Sequence, residues 1–146
     1  MYKIKKASVI GAGTMGLGIA GQLANAGIDV LLLDLASDGE NRNTIGEHAI
    51  ERLLDEQQPG LLHRDYLRHI TIGNIEDDLS KIKDADWITE AVVEKLEIKK
   101  TLYKKIDSFR KPKSIVSSNT STIPISLLVE DMPESFKSEF AITHFF

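Results

Sequence analysis

The chain has no cysteine, which excludes a disulfide scaffold, a thiolate zinc site and a thiol nucleophile. It also lacks an excess of positive charge: 18 Lys and Arg stand against 22 Asp and Glu, for a formal net charge of −4 and a pI near 5.6. Sequence-independent nucleic-acid binding needs a clustered basic surface to neutralise phosphates, so no nucleic-acid partner is expected. Lys3, Lys5 and Lys6 form too short a run to change this. No apolar stretch approaches the ~20 residues that cross a bilayer, and Ala7 to Gly11 is too short for a signal-peptide core. No membrane association is expected, and the chain reads as cytoplasmic. Proline is scarce, with four residues, while 42% of the 146 residues are hydrophobic and 27% charged. That composition describes one folded domain rather than a disordered tail.

Short apolar runs alternate with helix-like segments along the chain. Ala7 to Gly11, Asp29 to Asp34, Ile70 to Gly73, Trp87 to Glu90, Ser114 to Ser117 and Phe140 to Thr143 are strand candidates. The first two are nearly continuous apolar runs, as expected for central strands of a parallel sheet covered on both faces. Met15 to Ala26 carries Met15, Ile19 and Leu23 at helical spacing, and Gly27 stands where a left-handed residue would end that helix. Thr44 to Gln57 carries Ile45, Ala49, Ile50, Leu53 and Leu54 and stops before the turn signal Pro59-Gly60. A second helix is expected from Asp65. Leu96 to Phe109 places Ile98, Leu102, Ile106 and Phe109 on one face and lysines on the other. With no repeat or linker, residues 1–146 read as one α/β domain: a doubly wound, Rossmann-type, mostly parallel sheet with helices on both faces.

Gly11-Ala12-Gly13-Thr14-Met15-Gly16 follows the first strand and opens the first helix, the context in which this pattern binds dinucleotides. Gly11 permits the tight turn, Gly13 lets a pyrophosphate approach the backbone, and Gly16 lets helix and strand pack closely. The helix N-terminus, with unpaired N–H groups and a positive dipole end, receives the phosphates. Asp34, 21 residues after Gly13 at the end of the second strand, would accept ribose hydroxyls and repel a 2′-phosphate, which favours NAD over NADP. The loop serves hydride transfer, flavin binding and sensing alike, so the reaction must come from other residues.

Gly11 to Ala20, Glu90-Ala-Val-Val-Glu-Lys-Leu-Glu-Ile-Lys99, Ser117-Ser-Asn-Thr-Ser121 and His144-Phe-Phe146 together resemble, in order, the nucleotide-binding domain of the 3-hydroxyacyl-CoA dehydrogenases, most of all the bacterial fatty-acid β-oxidation members. The resemblance runs from about Lys6 to Phe146. It implies that Glu94 and Lys99 contact the nicotinamide half of NAD. By residue type alone they read as a solvated helix face. It implies that Ser121 hydrogen-bonds the substrate's C3 oxygen with Asn119 in the same loop, where the residues alone read as a turn and helix cap before Pro124. It implies that His144 is the catalytic histidine, whereas a lone histidine near a strand end is more often structural or simply exposed. Its near-neutral pKa suits acid–base work. Under the resemblance, His144 deprotonates the 3-hydroxyl of an (S)-3-hydroxyacyl-CoA as hydride leaves C3 for NAD, and Ser121 holds the oxygen.

Family members continue past His-Phe-Phe with Asn-Pro, a glutamate that hydrogen-bonds the histidine, and a helical domain that dimerises. The resemblance therefore implies that this chain is the cofactor half of an enzyme, binding NAD with little or no turnover. The expected partner is an acyl-CoA substrate, and the complete protein is expected to be a homodimer or part of a multifunctional β-oxidation enzyme. Two readings stand beside this one: a dehydrogenase of a small 3-hydroxy acid, and a non-catalytic NAD-binding module.

Overall fold

The structure is a computed structural model that describes residues 3–55, 57 and 60–145. Six strands, β1 (Lys6–Ile10), β2 (Asp29–Asp34), β3 (Ile70–Asn74), β4 (Trp87–Glu90), β5 (Ile115–Ser118) and β6 (Phe140–Ile142), form one sheet in the order β3-β2-β1-β4-β5-β6. Every adjacent pair is parallel. The continuous apolar runs of β1 and β2 are explained by burial on both faces. Val9 and Leu32 pack with Leu17, Ala20 and Leu53 on one side, under α1 (Thr14–Asn25) and α2 (Thr44–Leu53). Ile10 and Leu33 point the other way, into a second core with Leu102, Tyr103, Ile106, Leu128 and Phe136. That second layer is built from α3 (Ile75–Asp78), α4 (Leu96–Phe109), α5 (Ile125–Leu128) and α6 (Glu134–Lys137). The doubly wound α/β architecture expected from the sequence is therefore present.

Three local expectations are corrected. The helix predicted to reach Gln57 ends at Leu53; Pro59 lies outside the described residues. The helix expected from Asp65 is a six-residue 3₁₀ turn, Arg64–His69, none of whose residues is buried. Only Tyr66 and Leu67 pack against the core, and only in part, and the His63 ring nitrogen accepts the Asp65 N–H (3.2 Å), fixing a tight start. On α4 the buried face is rotated from the predicted one. Ile98 and Phe109 are 45% and 44% exposed, while Lys99 and Tyr103 join Leu102 and Ile106 inside. Gly27 has φ +74, as expected at the end of α1. Among the described residues no helix is long and apolar enough to cross a membrane.

The N-terminal edge of the sheet is fastened by Asp86. Its Oδ2 accepts the backbone N–H groups of Lys5 (2.8 Å) and Lys6 (3.1 Å), and its Oδ1 accepts from Lys111 Nζ at 2.5 Å. Lys111 and these N–H groups hold its carboxyl down at about 2. A carboxyl lowered by folding contributes stability that is present above its unfolded value and lost as pH falls through its folded value. Urea unfolding of Asp86→Asn is accordingly expected to cost about 1–2 kcal/mol near neutral pH, with the deficit vanishing toward pH 2. A deficit of the same size at both pH values would contradict that role for Asp86.

Candidate functional site

The glycine loop stands at the C-terminal edge of the sheet, where β1 lies between β2 and β4 and the strand order reverses, the place where open α/β sheets bind ligands. Gly11 turns the chain out of β1 with φ +106, and its N–H donates to Leu33 O at 2.7 Å. A Cβ on Gly11 would come within 2.6 Å of the Ala91 carbonyl oxygen, and one on Gly16 within 1.7 Å of the Gly11 carbonyl oxygen. Neither position tolerates a side chain, so α1 begins directly against the end of β1. Gly13 is different: nothing lies within 4 Å of where its Cβ would be, and as N-cap of α1 it supplies no side-chain cap. The start of α1, through Thr14 and Met15, thus meets open space with its positive dipole end. Arg52 from α2 reaches the Thr14 hydroxyl at 3.3 Å.

Asp34 closes the other side of the loop. Its Oδ2 accepts the Ala12 N–H at 2.5 Å and its Oδ1 the Leu35 N–H at 2.6 Å. Each carboxylate oxygen has capacity for a further donor, so the acid braces the loop and remains chemically able to receive ribose hydroxyls. Beside it opens a cleft of about 580 Å³ lined by Gly11, Gly13, Asp34, Leu35, Ile75, Val93 and Ile98 among others. An apolar cleft ending in an uncapped helix N-terminus and a carboxylate fits an adenine dinucleotide.

Further along the same edge the chain buries an ionic network. Glu90, at the end of β4, is fully buried. Its Oε1 accepts from Lys99 Nζ (2.6 Å) and the Val92 N–H (2.8 Å), and its Oε2 from Tyr103 Oη and Ser118 Oγ (both 2.7 Å). Lys99, itself fully buried, also reaches Glu94 Oε2 at 3.3 Å. Glu94 Oε1 in turn accepts from the hydroxyls of Thr120 and Thr122. Burial, reinforced by the Glu90 charge, raises the Tyr103 hydroxyl above its ordinary value, so it serves as a protonated donor. The Lys99 ammonium is enclosed between the Glu90 and Glu94 carboxylates.

Asn119 connects this region to the histidine. Its N–H donates to Glu90 O at 2.7 Å, and its Oδ1 accepts the Phe145 N–H at 2.9 Å. Thr143 donates its N–H to Ser118 O at 3.1 Å, and the rings of Trp87 and Phe145 lie 6.4 Å apart. The segment carrying His144 is thereby held beside the loop carrying Ser121. Both side chains are exposed. Phe146 lies outside the described residues. Sequence reasoning missed Glu90, Tyr103 and Ser118. The available signal was an acid ending an apolar strand, followed on the next helix by Lys99 and Tyr103, four residues apart and so on one face.

Residues 6–146 match the sequence family described as "3-hydroxyacyl-CoA dehydrogenase, NAD binding domain". A probable 3-hydroxyacyl-CoA dehydrogenase of Deinococcus radiodurans is 48% identical over 145 residues, 99% of this chain and 42% of that protein. A putative fatty acid oxidation complex trifunctional enzyme of Rickettsia felis is also 48% identical, over 99% of this chain and 20% of its own length. Among solved structures, the 3-hydroxybutyryl-CoA dehydrogenase of Escherichia coli superposes with a TM-score of 0.82 at 29% identity, covering 99% of this chain and 30% of that one. The chain thus spans less than half the length of these relatives.

Removing the ammonium from the buried network leaves carboxylates without their counter-ion. Lys99→Met is expected to destabilise the fold by about 3–5 kcal/mol in urea unfolding. Adding Glu90→Gln to it should restore part of that loss, because the buried charge goes with it. A Lys99→Met penalty below about 1 kcal/mol would contradict that role for Lys99.

Proposed function

The chain belongs to the 3-hydroxyacyl-CoA dehydrogenase family, over whose NAD-binding domain it extends, and from that premise we propose that residues 6–146 supply the cofactor half of an NAD-dependent oxidation of (S)-3-hydroxyacyl-CoA to 3-oxoacyl-CoA, as in fatty-acid β-oxidation. The observation that carries the reading is the clamp from Asn119 Oδ1 to the Phe145 N–H. It sets the His144 segment beside the Ser121 loop, on the sheet edge that also bears the glycine loop.

In this proposal Gly11 to Gly16 and Asp34 hold the pyrophosphate and adenosine ribose, and Glu94 faces the nicotinamide half. NAD, when bound, supplies the acceptor for the hydride that leaves C3. His144 acts as general base on the 3-hydroxyl, and as general acid in the reverse direction. Ser121 donates a hydrogen bond to the C3 oxygen, where negative charge develops. Asn119 serves by positioning the histidine segment. The relatives bearing this activity are considerably longer, so the proposal assigns NAD binding to the 146-residue chain and full turnover to the longer proteins. It likewise leaves homodimer formation or a multifunctional assembly, and a cytoplasmic location, as parts of the same reading.

Acetoacetyl-CoA reduction by NADH, measured in a full-length dehydrogenase chain that contains residues 6–146, tests the assignments. His144→Gln is expected to lower kcat by about 10²–10⁴-fold while the Kd for NADH changes less than about twofold. Ser121→Ala should cost roughly 10–10³-fold. Turnover that survives His144→Gln would remove the histidine from the role of base.

A further inference from the structure

We propose that Glu94 makes the site discriminate between the two redox states of its cofactor, favouring the cationic oxidised nicotinamide over the neutral reduced one. The inference rests on the cofactor reading above and deepens it. It starts from the charges of the buried network: two carboxylates, Glu90 and Glu94, share one ammonium, Lys99. That ammonium lies at 2.6 Å from Glu90 and 3.3 Å from Glu94. Glu90 is fully enclosed and receives hydrogen bonds from Lys99, Val92, Tyr103 and Ser118, so the surplus negative charge sits on the outer acid. The Glu94 side chain is 39% exposed. Partial burial pushes its carboxyl up, but the Thr120 hydroxyl, the Lys99 charge and Thr122 outweigh this and hold it below the ordinary carboxylate range. It is therefore ionised at neutral pH. Lys100, the next cation along α4, is engaged by Glu130 and Asp131 at 2.8 and 3.1 Å.

Position supplies the other half of the case. Asp34 ends β2, the N-terminus of α1 follows β1, and Glu94 follows β4 with its threonine partners following β5. A dinucleotide with its ribose on Asp34 and its pyrophosphate over α1 runs along this edge toward β4 and β5. Its second base then meets Glu94. Oxidised nicotinamide carries a positive charge and the reduced ring carries none, so a fixed carboxylate stabilises only the first. The two threonine hydroxyls and Lys99 keep that carboxylate from swinging away.

Calorimetric titration of the purified chain with NAD⁺ and with NADH reads the effect as a ratio. Glu94→Gln keeps the side-chain shape and the acceptor for Thr120 and Thr122. It is expected to weaken NAD⁺ relative to NADH by about three- to ten-fold. Glu134→Gln removes the same charge from a side chain that is 90% exposed on α6, and it should leave the ratio unchanged. An unchanged ratio in Glu94→Gln, or an equal loss of both cofactors, would overturn the inference while the cofactor reading stands. A wild-type chain that binds neither cofactor would overturn both.

Discussion

The contact between Gly16 and the carbonyl of Gly11 fixes where everything else at the sheet edge can go. A Cβ at Gly16 would lie 1.7 Å from that oxygen, so only glycine lets α1 start this close to the end of β1. The N-terminus of α1 is then aimed into the crevice between β2 and β4 rather than past it. Asp34 reinforces the placement by drawing the Ala12 N–H to its carboxylate. From these short contacts come both a bare helix N-terminus and, beside it, a cleft with an acid at one end. The open start of α1 is thus a by-product of tight strand–helix packing.

The second half of the edge is organised by charge burial instead. Glu90 ends the central strand β4 inside the core and is tolerable there only because Lys99 and three further donors satisfy it. Lys99 reaches on to Glu94, and Glu94 to Thr120 and Thr122. A buried group thereby dictates the shape of an exposed loop, the one that bears Ser121. The backbone of Asn119 is anchored on Glu90 O, and its side chain holds the strand end next to His144. Loop, histidine segment and outer acid consequently form one mechanical unit.

The sequence disclosed those parts of the fold whose signal is periodic or conformational. β1 and β2 were legible because burial on both faces demands unbroken apolar runs, and the glycine loop because Gly11 and Gly16 each answer a steric demand. The four-residue helices α5 and α6 are too short to show a helical period. The 3₁₀ turn at Arg64–His69 follows from a side-chain cap and solvent exposure that no hydrophobic pattern records. α4 misled in an instructive way. Its lysines read as a solvated face, yet Lys99 stands on the inner face because Glu90 waits there. At the site, Gly11, Gly13, Gly16 and Asp34 were readable from spacing. The partnership of Glu90 with Lys99, Tyr103 and Ser118 depends on strand register and stayed hidden. Ser121, Asn119 and His144 drew attention through family likeness, since their residue types alone are commonplace at turns and strand ends.

The central claim is that one cofactor lies along the C-terminal edge, from the glycine loop to the loop beside His144. The opposite edge carries a second cavity of about 370 Å³, lined by Lys6, Asp29, Arg68 and His69 among others, which offers a built-in comparison. Backbone amide shifts of the isotope-labelled chain during an NADH titration decide between them. The account predicts movement at Gly13 to Gly16 and at Asn119 to Thr122 at the same ligand concentration, with Lys6, Arg68 and His69 still. Shifts centred on Arg68 and His69, or confined to the glycine loop with the Asn119 loop silent, would contradict it.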